Sequence, residues 1–177
     1  LGLLREPLCE IKRANIIVYT KINLNSKKNI SRLESLFEKY IDKEKQLVLR
    51  SFYCSSLFFL NCSNTLERVE LYGDLLSFPV YVVVGIAQPL SFKKTASEYF
   101  SNIIYYNIVK DHFHYPVGFI KNLLVDFKQS GARALVTTRK DFVKIVPFLE
   151  GLKVYVVDVK HDVKNDHLIR AFLLNVL

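Results

Sequence analysis

The sequence predicts an α/β protein, a three-layer α/β/α sandwich around a mainly parallel sheet, with a short antiparallel ribbon or lobe drawn from residues 44–78. Three observations predict it. Strand-like and helix-like segments alternate through most of the chain, which is the pattern of parallel strands joined by helical crossovers. The run 80–86 is unbroken apolar, as a strand buried on both faces requires. Glycines at 131 and 151 stand just past helical periodicities, where they close helices. Half of the 177 residues are hydrophobic and 24% are charged, a globular composition that excludes disorder and coiled coil. A chain of this length buries roughly 70% of its unfolded surface, so one domain over 1–177 is the default expectation.

Each element has a local reason. Glu6-Pro7 reads as a helix entry, with Pro at the first helical position and a short helix to about Arg13. Residues 16–19 form a β-branched strand. Over 31–42, Leu33, Leu36, Phe37, Tyr40 and Ile41 recur at helical spacing, with Asn29 or Ser31 as cap. Residues 47–60, rich in Val, Phe, Tyr and Leu, read as one or two strands. Strands at 80–86, 103–109, 134–137 and 154–159 then alternate with helices at 89–102, 116–129, 140–149 and 166–177. Ligands of such sheets sit beyond the carboxyl ends of the strands, which singles out 85–89, 110–115, 137–141 and 158–162.

The 25 Lys plus Arg against 17 Asp plus Glu give a net charge of +8. That charge is spread, with local enrichment at Lys27-Lys28, 43–45 and Lys93-Lys94, rather than gathered with stacking aromatics on one face. No nucleic acid is expected, and a basic surface facing an anionic membrane or a phosphorylated substrate fits the balance. Cys9, Cys54 and Cys62 are odd in number and lack C-x-x-C spacing, which predicts a reducing compartment and no disulfide framework. The chain opens on Leu and holds no Met, so it is expected to be a segment of a longer protein. Its six glycines stand alone, at 2, 73, 85, 118, 131 and 151, and form no phosphate loop. Its longest apolar stretches, 52–62 and 75–87, fall short of the roughly 20 residues that cross a bilayer. No secretory signal pattern opens it.

Three segments could carry chemistry. Asp111-His112-Phe113-His114-Tyr115 follows an expected strand, and an imidazole there could move a proton or polarise a hydroxyl, its tautomer fixed by a neighbouring carboxylate. His112 and His114 lack a third Cys or His nearby, so no metal is expected. A half-buried loop satisfied by backbone explains the same residues equally well. In 137–141, Thr138 and Asp141 have capping-box spacing, while Arg139 and Lys140 fall in a first helical turn. The helix dipole disfavours each cation there by about 0.3–1 kcal/mol, a sign that a bound anion would reverse. Gly85, at a strand–turn–helix junction before Pro89, permits a sharp turn or a close approach. Arg5 and Glu6 are weaker signals: Glu6 suits any helix N-terminus, and Arg5 could be a surface charge.

Four segments, in order, resemble the tetraacyldisaccharide 4′-kinase family, the lipid A precursor kinases of Gram-negative bacteria. Gly2-Leu3-Leu4-Arg5-Glu6-Pro7 with Lys12-Arg13-Ala14-Asn15 is similar to the family's G-P-L-R-E-P…K-R-A-D. Val84-Gly85-Ile86-Ala87-Gln88-Pro89 with Phe92 resembles G-I-G-N-P…F. Asp111 to Tyr115 resembles D-H-H-x-[FY], and Thr138-Arg139-Lys140-Asp141 with Lys144 resembles T-E-K-D-x-V-K. Leu3, Asn15, Ala87 and Arg139 are among the departures from the pattern, while Asp111, His112, Lys140 and Asp141 stay in place.

The resemblance implies a two-lobe enzyme, joined by a short ribbon, that transfers the γ-phosphoryl of Mg-ATP to the 4′-hydroxyl of a lipid disaccharide 1-phosphate. This chain would be the C-terminal part. ATP and Mg²⁺ would be bound mainly by an N-terminal lobe that precedes the L-R-E-P segment. By carry-over, His112, with Asp111 beside it, faces the catalytic cleft and pairs with a base Asp of that N-terminal lobe to polarise the acceptor hydroxyl, Arg5 and Glu6 bind substrate, and Gly85, His114, Lys140 and Asp141 line the cleft or support it. The implied partners are the lipid disaccharide, the chain's own N-terminal lobe and the cytoplasmic face of the inner membrane, as a peripheral protein. The segment alone would be inactive. The alternative reading is a non-catalytic basic α/β module that binds an anionic ligand or nucleic acid.

Overall fold

The computed structural model describes residues 5–71 and 75–176. Gly2, Leu3 and Leu4 of the first motif, Gly73, and Leu177 of the last expected helix lie outside the described residues. In chain order the regular elements are β1 (Ile16–Tyr19), α1 (Lys27–Glu38), β2 (Leu47–Leu60), β3 (Leu66–Val69), β4 (Val80–Val84), α2 (Pro89–Ala96), β5 (Ile103–Ile108), α3 (Val117–Gln129), β6 (Ala134–Thr138), α4 (Arg139–Ile145), β7 (Val154–Val163) and α5 (His167–Val176). Two compact units divide the chain: Leu1–Cys54 with Val159–Leu177, and Ser55–Asp158.

In the second unit β4 lies between β5 and β6, and β6 pairs with β7, all parallel. Parallel neighbours require crossovers, and α2, α3 and α4 supply them. The pleat sends alternate side chains of β4 to opposite faces. Tyr81 and Val83 pack with Ile120, Leu123 and Phe127 of α3 and with Phe142 and Ile145 of α4. Val80, Val82 and Val84 pack with Phe92 and Ala96 of α2 and with Phe100. All five β4 residues are fully buried, which explains the unbroken apolar run. Helices thus cover both faces of a mainly parallel sheet, and the fold is α/β. β3 folds back antiparallel on the end of β2, with Leu57 opposite Val69 and Leu60 opposite Leu66. After α3, Gly131 adopts φ +75°, the left-handed conformation that closes a helix at little cost only for glycine.

In the first unit β1 pairs parallel with the start of β2, from Ile16 opposite Leu47 to Tyr19 opposite Arg50, and α1 is the crossover. The cap of α1 is Ser26, whose hydroxyl accepts the Asn29 N–H at 3.3 Å, rather than Asn29 or Ser31. The polar turn 27–29 is helical too, so apolar spacing alone placed the start too late. The opening helix is a 3₁₀ segment, Leu8–Arg13, entered from Pro7. Buried Gln46 fastens it: its amide donates to the carbonyls of Ile11 and Ala14, and its oxygen accepts from the Asp42 N–H.

Other boundaries differ from the periodicity: β4 ends at Val84 rather than 86, and α4 ends at Ile145, followed by a 3₁₀ turn at Val146–Phe148, rather than at 149. Helix α2 stops at Ala96 instead of 102 because Leu76 bridges the segment after it, its N–H bonded to Tyr99 O and its carbonyl to Ser101 N–H. Strand β7 runs four residues beyond 159. In its outer part His161 Nδ1 meets Ser51 Oγ at 3.3 Å, and just past its end Lys164 N–H bonds Arg50 O. Among the described residues no helix is long and apolar enough to cross a membrane.

Candidate active site

Because β4, β5 and β6 run parallel, their carboxyl ends open on one rim of the second unit. Three of the motif segments lead away from that rim: Gly85 after β4, Asp111–Tyr115 after β5, and Thr138–Asp141 at the β6–α4 junction. Side-chain bonds join all three.

The Thr138 hydroxyl accepts the Asp141 N–H at 3.0 Å and caps α4, as its spacing predicts. The other half of the box departs from the local pattern. The Asp141 carboxylate turns inward, where Oδ2 accepts the Gly85 N–H at 2.8 Å and the Thr138 hydroxyl at 2.9 Å. Asp141 has no exposed surface. Gly85 is needed here for closeness rather than for φ. A Cβ on it would meet Val109 Cγ2 at 2.9 Å, the Tyr115 hydroxyl at 3.1 Å and Asp141 Oδ1 at 3.2 Å.

The loop after β5 is held from α4. Lys140 Nζ donates to Asp111 Oδ1 at 2.7 Å, and one turn later Lys144 Nζ donates to the Phe113 carbonyl at 2.8 Å. The i, i+4 spacing puts both ammonium groups on one face of α4. His112 and Tyr115 both adopt left-handed backbone, at φ 60° and 54°. L residues with Cβ atoms disfavour that region, so the loop is fixed by its bonds rather than by local preference.

Asp111 Oδ1 also accepts the His112 N–H at 2.9 Å, and Oδ2 lies 4.0 Å from His112 Nε2. The Lys140 hydrogen bond, helped by the His112 amide, holds the Asp111 carboxyl below the usual carboxylate range. The His112 ring is 82% exposed. His114 is exposed as well, whereas Tyr115 is buried against Phe113 and Phe119. Burial first, then the Asp141 carboxylate, pushes the Tyr115 hydroxyl above the usual tyrosine range.

The first-turn cations of α4 both have carboxylate partners, Lys140 with Asp111 and Arg139 with Asp158 at 3.3 Å. Arg139 also lies 5.5 Å from the Phe58 ring. The cluster thus contains His112, Asp111, Gly85, Lys140 and Asp141, all of the second unit. Arg5 and Glu6 are exposed residues of the first. Sequence reasoning overlooked Tyr115 as an anchor and Lys144 as a loop clamp. The second had a signal, the i, i+4 spacing of Lys140 and Lys144. The first had a weaker one, the aromatic position that ends the D-H-H-x-[FY] resemblance. Among the described residues, no three His, Cys, Asp or Glu side chains gather as a metal site requires.

A family model described as tetraacyldisaccharide-1-P 4'-kinase matches residues 1–177. The tetraacyldisaccharide 4'-kinase of Bdellovibrio bacteriovorus is 30% identical over 144 residues, covering 81% of this chain and 40% of that protein. That of Leptospira biflexa is 29% identical over 174 residues, covering 86% of this chain and 44% of that protein. A crystal structure of LpxK from Aquifex aeolicus, in complex with ATP, matches with a TM-score of 0.53 at 20% identity, over 99% of this chain and 46% of that one. At that identity the likeness is one of fold. The chain spans less than half the length of these relatives. With all 177 residues matched by one family model, the motif segments in order and three of them bonded together at one rim, the chain belongs to the tetraacyldisaccharide-1-P 4'-kinase family.

Proposed function

We propose that this chain is the acceptor-side, C-terminal part of a kinase that transfers the γ-phosphoryl of ATP to the 4′-hydroxyl of a tetraacyldisaccharide 1-phosphate. The observation that carries the reading is the rim itself. An exposed imidazole stands on a loop held by the Asp111 carboxylate, the Phe113 carbonyl and the buried Tyr115 ring. Phosphoryl transfer depends on positioning and charge stabilisation, and an imidazole carried on a fixed loop contributes to the first.

In this scheme His112 faces the catalytic cleft and, paired with a base Asp of the N-terminal lobe, polarises the acceptor hydroxyl. The Asp111 carboxylate beside it is held ionised by Lys140, with Oδ2 4.0 Å from the His112 Nε2. Arg5, with Glu6, serves acceptor binding, and Gly85, His114, Lys140 and Asp141 line or brace the cleft. The residues of this chain do not fit the nucleotide: its glycines are isolated, and the described residues gather no acidic cluster. In this reading ATP and Mg²⁺ are held mainly by an N-terminal lobe that precedes these residues, and the isolated chain is inactive. The +8 charge supports a peripheral position on the anionic cytoplasmic face of the inner membrane, where a lipid acceptor resides.

The test is turnover by the two-lobe enzyme with an acylated disaccharide acceptor. His112→Ala should lower kcat by roughly 10²–10⁴ while circular dichroism and melting stay unchanged. Full activity at normal stability would refute the role of His112. Coding sequence upstream of Leu1 that carries G-x-x-x-x-G-K-[ST] would support the two-lobe reading, and unrelated sequence there would remove it.

A further inference from the structure

Asp141 is the one charged side chain that is buried among the described residues, and the scheme above gives it no chemistry. A buried carboxylate is tolerated when its lone pairs are met by donors. Oδ2 has two, the Gly85 N–H and the Thr138 hydroxyl. Oδ1 has no hydrogen-bond partner, and neither has the buried Tyr115 hydroxyl. Both atoms lie within 3.2 Å of the point where a Gly85 Cβ would stand. A phenol donates, a carboxylate accepts, and each here lacks a counterpart.

We propose that the Tyr115 hydroxyl donates to Asp141 Oδ1, and that this buried pair is the clamp that fixes the 111–115 loop and with it the orientation of His112. Tyr115 and His112 are the two left-handed residues of the loop, so fixing one end constrains the other through three intervening peptide planes. Lys140 and Lys144 hold the start and middle of the same loop. The clamp therefore completes a three-point attachment to α4, and through Gly85 it ties that attachment to the end of β4. Asp141 and Tyr115 are positioning residues. Their importance for catalysis rests on the kinase reading, while the clamp itself does not.

NMR on this chain tests it, with 15N labelling and 13Cζ-labelled tyrosine, in the wild type, Tyr115→Phe, Asp141→Asn and the double variant. Asp141 and Lys144 are the charged groups that face the Tyr115 ring. In the wild type the Tyr115 Cζ signal should stay still near pH 10, where exposed tyrosines titrate, and in Asp141→Asn it should titrate at lower pH. Tyr115→Phe should speed exchange of the Gly85 amide about tenfold and shift the His112 amide and ring signals. The double variant should add little to either single one. Titration of wild-type Tyr115 with the exposed tyrosines would overturn the proposal. So would Gly85 and His112 signals indifferent to Tyr115→Phe. Should Asp141→Asn fail to fold, Tyr115→Phe alone decides. None of these readouts needs turnover, so failure of the clamp leaves the kinase reading standing, and an inactive two-lobe enzyme leaves the clamp standing.

Discussion

At the scale of single residues, Lys140 carries two consequences. Its hydrogen bond is the largest cause of the lowered Asp111 pKa. A carboxylate whose pKa is lower folded than unfolded adds stability above its unfolded value, and that stability fades as pH falls through the folded value. Lys140→Ala should therefore move the Asp111 midpoint up toward the ordinary aspartate range, read by NMR titration of the carboxyl carbon. An unmoved midpoint would show that Lys140 does not hold Asp111 in solution. Asp111 and Lys140 are both partly exposed, so the ion pair orients the loop more than it stabilises the fold. Asp141 differs in kind. Enclosed and bonded to a backbone amide 56 residues away, it ties the turn after β4 to the start of α4 at the carboxyl ends of two paired strands.

At the scale of elements, β4 and α4 organise the site. Strand β4 is central and wholly buried, so its carboxyl end is a rigid reference point. Its continuation at Gly85 leaves no space for a side chain, since Val109 Cγ2 would lie 2.9 Å from a Cβ. A valine packed there has no flexible end to swing away. Gly85→Ala should destabilise the protein by about 1–3 kcal/mol in urea unfolding, with the slope of the transition unchanged. Wild-type stability would show that the β4–β5 junction yields more readily than its packing suggests. Helix α4 is short, and it braces the loop through side chains one turn apart instead of through length.

At the scale of the whole molecule, the two units are built differently. Both clusters of buried apolar side chains come entirely from Ser55–Asp158. In the first unit α1 buries no residue, while Val18 and Val48 remain 40% and 37% exposed. A parallel β–α–β segment normally has both faces covered. Amides of β4 and β6 should therefore exchange with solvent roughly 10²-fold more slowly than those of β1 and α1, measured by hydrogen–deuterium exchange. Equal protection in both units would contradict this difference in packing.

Much of the fold was legible because its causes are local. The apolar run 80–86 predicts a strand covered on both faces, and β4 is one. Residues 16–19 and 117–129 became the expected strand and helix, and Thr138 caps α4 as its spacing implies. Element ends set by distant partners were not legible: α2 stops where Leu76 bridges beyond it, and β7 extends to a segment stapled to Ser51 and Arg50. The site divides in the same way. By itself the sequence determined the α/β alternation, the family resemblance and the motif residues, because periodicity, capping and short motifs are written in neighbouring positions. Only the tertiary structure decided that Asp141 bonds Gly85 rather than completing its own capping box, that Lys140 rather than the His112 ring holds Asp111, and that Tyr115 is the buried end of the loop. Those outcomes turn on which groups lose water together when distant segments pack, and a buried donor or acceptor takes whichever partner the packing brings within reach.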